Sequence, residues 1–131
     1  MVVLDTTFII HFLKNKENAL QKAQEINEPV YTTRLNIFEI LAGINLKKEE
    51  EKQPAFSIFN DFLYSVKILE LDEKSTKKAA EIYAYLHKKG ETVDKIDVLI
   101  ASMGITNNQE KIITDNVKDF SKIPGIIVEK Y

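Results

Sequence analysis

Apolar positions recur along this chain in short blocks whose period changes from one block to the next. Val2-Val3-Leu4 is a continuous apolar run, which predicts a strand buried on both faces and ending at Asp5. Residues 6–13 read as a helix with Asp5 or Thr6 near its cap. Residues 19–26 form a second, more polar helical pattern that Pro29 closes, and residues 30–32 read as the second strand. Within residues 35–46, Ile37, Phe38, Ile40, Leu41 and Ile44 follow helical spacing. Residues 47–52 read as a solvated connector before Pro54, which is expected to start a helix over 55–64. Residues 66–71 alternate in part, as a strand does, and Asp72 or Ser75 then caps a long helix running to Gly90. Val98-Leu99-Ile100-Ala101 opens another helix, and residues 111–114 and 126–129 are the last strand candidates, joined by a loop through Pro124-Gly125.

Short strands alternating with helices predict a three-layer α/β/α sandwich around a mainly parallel sheet. No repeat, low-complexity tract or long linker divides it, so one domain is expected over residues 1–131.

Composition narrows the chemistry. The chain is 44% hydrophobic and 29% charged, the balance of a globular protein with a real core. It has no cysteine, which excludes disulfides, thiolate zinc sites and cysteine nucleophiles. No apolar run approaches the roughly 20 residues a membrane helix needs, and the first residues do not read as a signal peptide. The expected location is therefore the cytoplasm, with no membrane partner. Eighteen basic against 20 acidic residues give a net charge of −2, so no global basic field draws the chain to nucleic acid. A nucleic-acid role would need a local patch or a bound cation.

The acidic residues are placed where a parallel sheet puts its ligands, beyond the carboxyl ends of the strands. Asp5 follows the first strand. Asp115 and Asn116 follow the strand ending at Thr114, and Asp119 lies just beyond. Asp94 and Asp97 begin a helix, and Glu39 sits in the first turns of the helix after strand two. Singly, Asp5, Asp94 and Asp97 read as helix caps or first-turn acids, and Glu39 shares a wheel stripe with Asn36, Gly43 and Leu46 that predicts simple exposure. Gathered at one edge, such carboxylates repel and recruit a cation. A cluster of oxygen ligands without His or Cys suits Mg²⁺ or Mn²⁺, which can activate water and offset charge on a phosphodiester. The residues thus point to metal-assisted phosphodiester hydrolysis.

Four segments carry a family resemblance: Val-Val-Leu-Asp-Thr-Thr-Phe-Ile-Ile from position 2, Asn-Ile-Phe-Glu-Ile-Leu-Ala-Gly from 36, Asp97-Val-Leu-Ile-Ala, and Thr-Asp-Asn-Val-Lys-Asp-Phe from 114 with Ile-Pro-Gly-Ile-Ile-Val after it. In this order they resemble the motifs of PIN-domain ribonucleases, and the compact length is most similar to VapC-type toxins of toxin–antitoxin pairs. The resemblance implies an endoribonuclease whose metal-binding acids are Asp5, Glu39 and Asp97, cutting RNA to leave 5′-phosphate and 3′-hydroxyl ends. Asn116 stands where many members carry Asp, with Asp115 and Asp119 beside it, so the fourth position and the choice of one metal or two stay open. Asp94 is a cap or an auxiliary ligand. Thr7 and Thr114 would be hydrogen-bonding members of the pocket, and a homodimer and a cognate antitoxin are implied as partners. Arg34, in the segment leading to Glu39, is a candidate substrate-phosphate contact. His11 and His87 lack partners at ligand spacing and read as packing or surface residues. A PIN-like binding module without catalysis is the main rival, supported by Asn116. Receiver domains and haloacid-dehalogenase-like phosphatases need acid patterns that Asp5-Thr6-Thr7 does not supply.

Overall fold

The computed structural model describes residues 1–131. In chain order the elements are β1 (Val2–Leu4), α1 (Thr6–Leu13), α2 (Glu17–Glu25), β2 (Val30–Thr33), α3 (Arg34–Asn45), α4 (Glu49–Leu63), β3 (Lys67–Leu69), α5 (Glu73–Lys88), α6 (Lys95–Thr106), β4 (Lys111–Ile113), α7 (Val117–Phe120) and β5 (Ile127–Glu129). The five strands form one sheet in the order β3-β2-β1-β4-β5, and every pairing is parallel. No helix is long and apolar enough to cross a membrane.

Strand side chains alternate between the two faces of the sheet, so each strand feeds two separate cores. Val2, Leu4 and Ile113 pack with Phe8, Ile9, Ile37, Ile40 and Phe59 beneath α1 to α4. Val3 and Ile112 pack with Ile82, Leu86, Val98, Ile100 and Phe120 beneath α5 to α7. This is the three-layer α/β/α arrangement expected from the sequence. It also explains why β1 reads as an unbroken apolar run: all three of its residues are buried.

The sheet order places the functional edge. The chain winds outward from β1 to β2 and β3, then returns to lay β4 on the other side of β1. The switch point lies between β1 and β4, where a crevice opens beyond the carboxyl ends of the two strands. Asp5 follows β1 there, and Thr114 to Asn116 follow β4.

Two elements depart from the sequence expectation. Helix α4 starts at Glu49, so the expected connector is already helical and Pro54 lies inside the helix rather than at its start. Three glutamates fill its first turn, where the helix dipole favours negative charge, and Lys52 pairs with Glu49 at 2.8 Å. Pro54 is exposed and removes only one backbone donor near that end. Helix α7, four residues long, follows β4 where a plain loop was expected. A single turn is too short to display a period, and it is held by its buried Phe120.

Candidate active site

Asp5 is the most buried acid of the edge, 5% exposed. It occupies the cap position of α1, yet its side chain makes no cap hydrogen bond. It accepts instead from the Thr114 hydroxyl at 2.6 Å and from the Asn36 amide at 3.0 Å. The cap explanation therefore does not account for Asp5, whereas it does account for Asp94, whose carboxylate accepts from the Ile96 backbone N–H at 2.8 Å. Burial raises the Asp5 pKa, opposed by hydrogen bonds from the Thr114 hydroxyl, the Thr6 backbone N–H and the Asn36 amide.

Three other acids meet Asp5 from separate elements. Glu39, on α3, is half-buried and accepts from the Thr6 hydroxyl at 2.6 Å. The wheel stripe it shares is buried at Asn36 and exposed at Gly43 and Leu46, and Glu39 lies between, half-buried rather than exposed. Asp97, in the first turn of α6, accepts from the Asn116 amide at 3.0 Å. The same amide reaches Asp119 at 3.3 Å. Burial first, and then the charges of Asp5, Asp94, Glu39 and Asp119, push the Asp97 carboxyl up to about 7.

The hydroxyls complete the frame. The Asn116 backbone N–H donates to Thr114 Oγ1, whose own hydroxyl donates to Asp5. The Asp115 backbone N–H donates to Thr7 Oγ1 at 3.3 Å. Asp115 is exposed, and its charge acts on Tyr131 rather than on Asp97. Arg34, the candidate phosphate contact, is exposed and forks onto Glu70, at 2.9 and 2.5 Å.

Sequence reasoning missed three contributors. Asn36 and Thr6 link Asp5 to Glu39 across about 30 residues of chain. The available signal for Asn36 was its place on the buried stripe of α3, four and eight residues before Ile40 and Ile44. Tyr131 shares a 2.6 Å hydrogen bond with His11 and packs edge-on to Phe8 beside the site. That pairing of residues 120 apart left no local signal.

No lysine or arginine forms an ion pair with Asp5, Glu39, Asp97, Asp115 or Asp119; the chain's ion pairs all use other acids. Crowded carboxylates with no protein cation, dressed only by neutral amides and hydroxyls, form a donor set suited to a hard divalent ion. No three acidic or imidazole groups close into a cage around one point.

Comparison with known proteins gives a consistent result. The profile described as PIN domain matches residues 2–126. Ribonuclease VapC2 of Rickettsia felis is 27% identical over 98% of this chain and 96% of its own length. The tRNA(fMet)-specific endonuclease VapC of Salmonella typhimurium is 25% identical over 98% of this chain and 96% of its own. Among solved structures, VapBC2 from Rickettsia felis, bound to a DNA fragment from its promoter, superposes with a TM-score of 0.89 at 25% identity, covering 100% of this chain and 99% of that one.

Proposed function

The chain belongs to the PIN-domain family, and from that membership we infer that it is an endoribonuclease, the toxin of a toxin–antitoxin pair, working with a divalent cation. The observation that carries the metal-dependent reading is the set of carboxylates at the β1–β4 switch point, none of them balanced by a protein cation. Asp5, Glu39 and Asp97 would hold the cation, and Asp119 would complete the site through the amide it shares with Asp97 on Asn116. When bound, Mg²⁺ or Mn²⁺ lowers the pKa of water and offsets the charge of the RNA phosphate.

The remaining work falls to the chain itself. Thr114 fixes the rotamer of Asp5 by donating to one of its oxygens, and Asn116 does the same for Asp97. Thr7 and the backbone after β4 shape the near wall of the crevice. Water, not the ribose 2′-hydroxyl, would attack in line, so the products would carry 5′-phosphate and 3′-hydroxyl ends. By likeness to the VapBC complexes, the expected partners are a cognate antitoxin and a second copy of this chain.

The test is cleavage of a pool of structured and single-stranded RNAs, initiator tRNA included because the Salmonella relative is named for it. Reactions would contain Mn²⁺, Mg²⁺ or excess EDTA, beside Asp5→Ala. Metal-dependent cuts with 5′-phosphate ends, absent from the variant, are the expected result. A folded protein that binds RNA without cutting any of the pool would favour a binding module instead.

A further inference from the structure

We propose that Asn36 is a positioning residue that couples the Asp5 and Glu39 carboxylates into one unit of the cation site, a role that rests on reading that edge as the cation site. Asn36 is fully buried, and each hydrogen-bonding atom of its side chain is used. Its Oδ1 accepts from the Thr33 backbone N–H at 3.2 Å and from the Thr33 hydroxyl at 2.7 Å. Its Nδ2 donates to Asp5 Oδ1 and to Thr6 Oγ1, both at 3.0 Å. Thr6 in turn donates to Glu39 Oε1 at 2.6 Å. The amide cannot be turned over, because Oδ1 would then face the Asp5 carboxylate while two donors of Thr33 lost their acceptor.

The helix cap alone does not account for this arrangement. Asn36 belongs to a capping box with Thr33 at the start of α3, and that box uses only Oδ1 and the backbone N–H. Helix α5 has a capping box of the same form, Asp72 with Ser75, and there the corresponding residue is a serine with no amide. A helix of this fold is therefore capped without the Nδ2 donor. In α3 that extra donor points away from the helix, to one site carboxylate directly and to another through a single hydroxyl. Neutral donors so placed orient both acids without adding a positive charge that would compete with the cation.

Asn36→Ser separates the two roles, since it keeps the cap chemistry seen in α5 and removes the reach to Asp5. Thr6→Val breaks only the arm to Glu39, and Thr6→Ser restores it. Mn²⁺ affinity of the RNA-free protein is read from the electron paramagnetic resonance of free Mn²⁺, with thermal melting in parallel. Asn36→Ser and Thr6→Val are each expected to weaken Mn²⁺ binding about tenfold, the scale of a lost outer-shell partner, while Thr6→Ser stays within about twofold. Asp72→Ala, which uncaps α5 away from the site, is expected to lower the melting midpoint and leave Mn²⁺ affinity within about twofold. Wild-type affinity in Asn36→Ser and Thr6→Val overturns the inference alone, as does an equal loss in Asp72→Ala. Failure of the unmodified protein to bind Mn²⁺ instead removes the cation site itself, before any variant is compared.

Discussion

Asp97 is the residue at which the electrostatics of the edge can be measured. Its carboxyl is held up to about 7, chiefly by burial and then by four neighbouring acids, whereas in an unfolded chain it titrates near 3.8. Below the unfolded value both states are protonated and the group has no effect on stability. Between the two values the unfolded chain ionises while the folded one keeps its proton, so stability falls as pH rises toward 7, and the loss is complete above it. Asp97→Asn stays neutral throughout and can still accept from Asn116. In EDTA, the variant is therefore expected to melt level with the parent near pH 4 and about 5 °C above it at pH 8. That corresponds to about 1–2 kcal/mol once the half-exposure of the group is allowed for. Equal melting points at pH 8 would mean that neither burial nor the neighbouring acids penalise the charged form of Asp97. The same substitution is expected to abolish cleavage, so stability and activity would move in opposite directions. Residues of this kind were legible in the sequence because each lies next to a strand end or a first helical turn. Asn36, Thr6 and Tyr131 were not, because their meaning comes from hydrogen bonds to residues 30 or more away, and the Glu70 partner of Arg34 is equally remote in sequence.

At the level of elements, periodicity was a good guide wherever a helix or strand had one buried face and a poor one where charge or length decided. The β1, β2 and β4 runs and the α3 and α5 stripes could be read directly. The start of α4 could not, since its first turn is all polar and is stabilised by dipole and ion pairing rather than burial. The joint between α6 and β4 is set by a feature that carries no pattern at all. Gly104 lies in α6 where an added Cβ would come within 2.6 Å of the Gln109 carbonyl oxygen and 3.3 Å of Val3 Cγ2. The Gln109 N–H donates to the Gly104 carbonyl at 2.8 Å, so the chain turns back tightly onto the helix before entering β4. Backbone cannot yield as a flexible side chain can. Gly104→Ala is expected to cost about 3 kcal/mol in a urea melt despite the better helix propensity of alanine. An unchanged or raised urea midpoint would show that the joint opens freely. Because β4 carries Thr114, Asp115 and Asn116 on its carboxyl end, the same strain would reach the site.

Across the molecule, charge is sorted rather than balanced locally. Where β1 begins, the Met1 amino group and Lys111 share Glu28, and on the same side of the sheet Lys22 and Lys111 reach across to Glu129 at the end of β5. Beyond the far end of β1, Asp5, Glu39, Asp97 and Asp119 share no cation from the chain. The net charge of −2 conceals this sorting, which is why composition could exclude a basic field but could not locate an acidic one. Two cores, one on each face of the sheet, hold the acids at a fixed edge, and the fold bears their repulsion. A ligand that binds only the folded state stabilises it by RT ln(1 + [L]/Kd), about 2.7 kcal/mol at a hundredfold excess over Kd. For a chain of this size that corresponds to a rise of about 10 °C in melting midpoint. Mn²⁺ or Mg²⁺ at pH 8 is thus expected to raise the midpoint by about that amount, and EDTA to reverse it. At pH 5 the rise is expected to shrink, because Asp97 is then protonated and a proton must leave for the cation to enter. Asp5→Ala is expected to abolish the rise at both pH values. Calorimetric melts at the two pH values, with and without the cation, decide the matter: a rise of equal size at pH 5 and pH 8, or one retained in Asp5→Ala, would place the cation elsewhere on the molecule.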